Sequence, residues 1–86
     1  MREPTPKTTV FRYGSNDRSE SVRKTLREVH EALKEKGYNP VGQIVGYLMS
    51  GDPTFITSHR NARNVIASLE RDVILEELIQ FYLENR

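Results

Sequence analysis

Apolar side chains first recur with order at Val22, Leu26, Val29 and Leu33, spaced i, i+4, i+7 and i+11. That is the period of one face of an α-helix. Arg23, Lys24, Arg27, Glu28, Glu31 and Lys34 occupy its other faces. Ser19 predicts the N-cap, and Gly37 suits the left-handed residue past the last turn. A first helix is therefore expected over about 20–36.

Asn39-Pro40 then reads as a cap followed by proline at the first helical position. Ile44, Val45, Tyr47, Leu48 and Met49 form a second helix over about 41–50, with no charged residue. Such a helix is expected to be the central, most buried element. Gly42 and Gly46, four apart, suggest a place where another backbone approaches.

Ser50-Gly51-Asp52-Pro53 reads as helix stop and helix start. Gly51 terminates, Asp52 caps, and Pro53 opens a short turn carrying Phe55 and Ile56. Thr57 or Ser58 predicts the next cap, followed by Ala62, Val65, Ile66 and Leu69 at helical spacing. Glu70-Arg71-Asp72 interrupts that stripe before a last helix.

The last helix is overloaded. Eight of the eleven residues from Val73 to Leu83 are apolar, and they cover more than one face. A two-fold homodimer with Ile74, Leu75, Leu78, Ile79 and Tyr82 at its interface would cover them. The alternative is a central core helix wrapped by the other three.

Residues 1–21 hold only Met1, Val10, Phe11 and Tyr13 as apolar side chains, among Pro4, Pro6, Gly14, Ser15 and Asn16. The expected organisation is a flexible N-terminal tail, 1–19, before a single helical domain, 20–86. Thr8–Tyr13 has strand-like composition but is too short and isolated to compete. The expected fold is all-α: a compact, homodimeric bundle of about four short helices.

Composition sharpens this picture. At 86 residues the chain is one domain, and 36% hydrophobic content makes its core modest. With no cysteine, a second subunit is the natural source of further burial. Absence of cysteine fits a reducing, cytoplasmic location. No apolar run is long enough to span a membrane, and no secretory signal is expected. The net charge of +1 is uneven: residues 1–36 hold nine Lys/Arg and six acids, and residues 37–86 hold four and six.

The residues offer no catalytic constellation, so no enzyme, cofactor or metal site is expected. His30 and His59 are the only histidines, and Ser50-Gly51-Asp52 lacks the glycine that precedes a nucleophilic serine. Asp52 is explained as a cap, and Asp72, Glu76 and Glu77 suit the start of a helix. Arg60, Asn61, Arg63 and Asn64 carry the donors of a nucleic-acid recognition helix, which is the alternative reading. The net acidic C-terminal half argues against nucleic acid. The same four residues are then expected to form a polar face for an acidic partner segment.

Thr5, Thr8 and Thr9 lie close together in the tail, beside Lys7 and Arg12. An accessible segment suits a kinase, and each phosphate adds about −1.5 to −2 charge near pH 7. Arg12, Arg18, Arg23 or Lys24 could pair with such phosphates.

Residues 34–41, Lys-Glu-Lys-Gly-Tyr-Asn-Pro-Val, run into Gln-Ile-Val-Gly-Tyr-Leu-Met-Ser-Gly-Asp-Pro-Thr-Phe-Ile-Thr at 43–57. His59, Asn61-Ala62-Arg63-Asn64 and Leu69-Glu70-Arg71-Asp72 follow. This pattern resembles the IreB family of small cytoplasmic proteins from Gram-positive bacteria, across about residues 21–84. The resemblance implies an all-helical, homodimeric, non-enzymatic regulator. It implies modification by a transmembrane Ser/Thr kinase with PASTA repeats, reversal by a cognate phosphatase, and negative regulation in cell-wall stress and antibiotic resistance through an unknown protein target. It places phosphorylation just before a Thr-Val-x-Phe-like segment, here Thr8-Thr9-Val10-Phe11. Thr9 matches best, with Thr8 or Thr5 as the second site. Ala67-Ser68 stands where the family pattern carries a basic pair, which removes positive charge near Arg63 and Arg71.

Overall fold

The computed structural model describes residues 8–84, with side chains from residue 17 onward. Among them, four α-helices and two 3-10 turns follow in order. Helix α1 spans Thr8–Glu35 and α2 spans Pro40–Ser50. The turns Pro53–Phe55 and His59–Asn61 lead into α3, Ala62–Ala67, and α4, Arg71–Glu84.

Helix α1 begins twelve residues before the expected start. The expected boundary at 19/20 falls inside it, and Ser19 lies along the helix instead of capping it. The physical reason is steric: α1 starts two residues after Pro6 and contains no proline, so no ring interrupts its hydrogen bonds. At about 1.5 Å per residue its 28 residues account for most of the molecule's 45 Å length.

The end of α1 matches its sequence signal. Gly37 takes φ +83°, Tyr38 N–H donates to the Leu33 carbonyl and Gly37 N–H to that of Lys34, both at 3.0 Å. These two bonds satisfy carbonyls the helix itself leaves unpaired. Two residues on, the Asn39 side chain accepts from Gly42 N–H, and Pro40 opens α2. Gly51, at φ +77°, closes α2 with its N–H on the Tyr47 carbonyl. There the guanidinium of Arg71, from the start of α4, donates to the Leu48 carbonyl at 3.1 Å. A cation at a helix C-terminus is favourable for the same reason that this carbonyl is free.

The core corrects one expectation. Helix α1, not α2, is the hub, and α2, α3 and α4 all pack on it. It contributes Val22, Val29, Ala32 and Leu33, while Leu26 is only half-buried. Helix α2 buries Tyr47 and Leu48 but exposes Val41, Val45 and Met49, the last by 80%. A helix without charges is not thereby covered by its own chain.

The segment after α2 dives inward at Ile56, which is fully buried. Its backbone is held by side chains: Gln43 Nε2 donates to the Phe55 carbonyl at 2.8 Å, and Arg63 Nε to that of Ile56 at 2.9 Å. The Phe55 ring covers Gly46, so the glycine admits a ring and not a second backbone.

Candidate functional site

The helix expected from residue 58 is broken. Arg60 and Asn61 take φ +55° and +62°, so α3 begins only at Ala62. Asparagine tolerates this left-handed region well, whereas for arginine it is uncommon. The reversal carries His59 and Arg60 back to the end of α1. His59 Nε2 lies 2.7 Å from Glu35 Oε1, and an Arg60 guanidinium nitrogen lies 3.0 Å from Oε2. Glu35 therefore titrates below the usual carboxylate range, first through the His59 hydrogen bond and then through the Arg60 charge.

The four residues expected to form a polar face are thus adjacent but engaged within the chain. Arg60 meets Glu35, Arg63 holds the Ile56 carbonyl, and Asn64 Nδ2 donates to Asn61 Oδ1 at 2.8 Å. Neither the left-handed pair nor these partners had a sequence signal beyond the tolerance of Asn61. Asp52 is explained structurally. Its carboxylate accepts from Thr54 N–H and Oγ1 at 3.0 and 2.7 Å, and those bonds hold it below the ordinary value.

Among the described residues, no group of three or more His, Cys, Asp or Glu is placed to hold a metal ion. Among the described residues, no helix is long and apolar enough to cross a membrane.

The expected interface residues separate. Ile74 is fully buried within the chain, so it belongs to the core and not to an interface. Leu75, Ile79, Tyr82 and Leu83 are exposed along one side of α4. At about 100° per residue that side is rotated roughly 120° from the one carrying Ile74, Glu77, Leu78 and Phe81. The apolar excess of α4 thus resolves into two faces. The inner one lines a groove of about 360 Å³ against α1, walled by Val22, Arg23, Leu26, Arg27 and His30. Arg23 stands over the Phe81 ring at 5.8 Å, and Arg18 pairs with Glu76 at 3.3 Å.

Of the candidate phosphorylation sites, Thr8 and Thr9 open α1, while Thr5 lies outside the described residues. The first turn of α1 carries no acidic residue.

A single long helix with three shorter ones on it, leaving apolar faces exposed, defines a small all-helical protein. The chain matches the family described as "IreB regulatory phosphoprotein" over residues 6–84. A curated relative, a UPF0297 protein of Ruminiclostridium cellulolyticum, is 53% identical over 78 residues, covering 91% of this chain and 88% of the relative. The chain belongs to the IreB family of regulatory phosphoproteins.

Proposed function

We propose that this protein is a non-enzymatic, cytoplasmic regulator whose N-terminal threonines are modified by a transmembrane Ser/Thr kinase with PASTA repeats and restored by a cognate phosphatase. In its unmodified form it restrains cell-wall stress and antibiotic-resistance signalling by engaging a protein target. Thr9 is the principal site, with Thr8 or Thr5 as the second. The observation that carries the reading is the position of Thr8 and Thr9 in the opening turn of α1, in a chain of a regulatory phosphoprotein family.

The chemistry of that position supports a switch. A helix start presents unpaired N–H groups and partial positive charge. A phosphate there supplies negative charge that this first turn lacks, so it favours the helical form of the segment. Residues 8–16 contain Gly14, Ser15 and Asn16, all weaker helix formers than alanine. Their helix is therefore easily exchanged for the extended form a kinase takes.

The protein acts as a homodimer in this reading. The outer side of α4, with Leu75, Ile79 and Tyr82, and the exposed Val41, Val45 and Met49 of α2 provide apolar surface for a second copy. The test is replacement of the chromosomal copy by Thr8→Ala/Thr9→Ala protein in kinase-active cells. The expected result is a regulator locked in its restraining state, with lowered antibiotic resistance. Behaviour identical to the wild type contradicts the reading.

A further inference from the structure

We propose that the groove between α1 and α4 is a docking site for an acidic amphipathic helix of a partner protein. This goes beyond the regulatory reading and does not depend on phosphorylation. The floor is apolar, formed by Val22, Leu26, Leu78 and Phe81. Its volume, about 360 Å³, lies in the range of pockets that accept side chains or small ligands, about 300–1,000 Å³. A helix laid into such a groove inserts residues at i, i+3 or i+4, and i+7.

The charge of the rim selects the partner. Arg23, Arg27 and His30 line the groove, and Lys34, beyond its lining, continues their i, i+4, i+7 and i+11 stripe along α1. The stripe runs about 16 Å, or three helical turns. His30 lies 3.7 Å from Glu31, but Arg27 and Lys34 meet no carboxylate among the described residues. The facing wall carries one acid in the groove, the half-buried Glu77; its neighbour Glu76 lies outside the lining and pairs with Arg18. A partner helix with leucine-like anchors on one face and acids along the α1 side satisfies both walls. A uniformly acidic partner is disfavoured at Glu77, and a basic one at the stripe.

A second copy has its own surface. The outer side of α4 points roughly 120° away from the groove, so self-association there leaves the groove open.

The test uses the full, unmodified chain and two synthetic helices of about 18 residues. Both carry leucines at i, i+4, i+7 and i+11; one has Glu along one flank, the other Lys at the same positions. Binding is read by fluorescence anisotropy and by amide chemical shifts. The acidic helix is expected to bind about tenfold or more tightly than the basic one. Its shifts should centre on Leu26, His30 and Leu78. Arg27→Glu/Lys34→Glu, both at exposed positions, should keep its helical signal and reverse the preference. Equal binding of the two helices, no binding of either, a preference unmoved by the double variant, or shifts centred on Val45 and Ile79 would overturn the proposal. So would binding that appears only after Ile79→Asp separates the subunits, because the occupant would then be a second copy.

Discussion

Glu35, in the last turn of α1, receives His59 at 2.7 Å from 24 residues along the chain, and this contact closes the α2 excursion onto the hub helix. The contact exists because Arg60 and Asn61 turn left-handed just after His59. Its pH dependence follows from sign. The folded-state pKa of Glu35 is depressed, so its contribution is fully present above the ordinary value of 4.5 and is lost as pH falls through the lower folded value. Glu35→Gln should lower Tm near pH 7, and its difference from wild type should close as the pH falls well below the ordinary carboxylate value. Thermal melts at a series of pH values check this. A gap that widens in acid contradicts it.

The two faces of α4 should respond differently to truncation. Ile74→Ala removes a fully buried side chain and is expected to cost about 2–5 kcal/mol of stability. Ile79→Asp changes a side chain that is 58% exposed, so the fold should survive, and the proposed homodimer should be lost. Urea unfolding and sedimentation velocity on both variants separate these outcomes.

Gly46 faces the Phe55 ring, and a Cβ built there would stand 2.5 Å from ring carbon Cε1. Alanine in a helix gains about 1 kcal/mol over glycine in propensity. Forcing the half-buried ring aside costs about 1–3 kcal/mol. The cost wins, so Gly46→Ala should lower stability. Phe55→Leu, combined with it, should recover part of the loss relative to Phe55→Leu alone.

The start of α1 should be its least stable part. Residues 22–33 are anchored by Val22, Val29, Ala32 and Leu33 in the core. Residues 8–16 include Gly14, Ser15 and Asn16 and rely on weak local propensity. Hydrogen exchange should therefore be faster across 8–16 than across 22–33 by about two orders of magnitude or more. Phosphorylation on Thr9 should slow exchange in the first segment and leave the second unchanged.

Much of the fold was legible because local chemistry wrote it. Asn39-Pro40, Gly51 and Asp52-Pro53 each place a cap or a stop at a residue that the structure uses in that role. The end of α1 at Gly37 was equally plain. Its beginning was not, because weak helix formers lower a helix's stability without forbidding it, and only Pro6 imposes a steric limit. The hub was misplaced for a different reason. Hydropathy reports what α2 would gain from burial, not whether Val41, Val45 and Met49 find cover in their own chain. The Arg60–Asn64 surface was legible as polar. Its inward contacts depend on two positive φ values that no residue type there required. In α4 the apolar excess was visible, but assigning Ile74 to the core and Leu78 to a groove needed the position of α1.

The most direct test of the central claim is an in vitro reaction with the Ser/Thr kinase domain from the same organism, followed by intact mass and phosphopeptide mapping. Wild type and the Thr5→Ala, Thr8→Ala and Thr9→Ala variants would be compared. The account predicts phosphate on N-terminal threonines, with the largest loss of incorporation in Thr9→Ala. No incorporation by a kinase that is active on another substrate, or incorporation only outside residues 1–19, would contradict it.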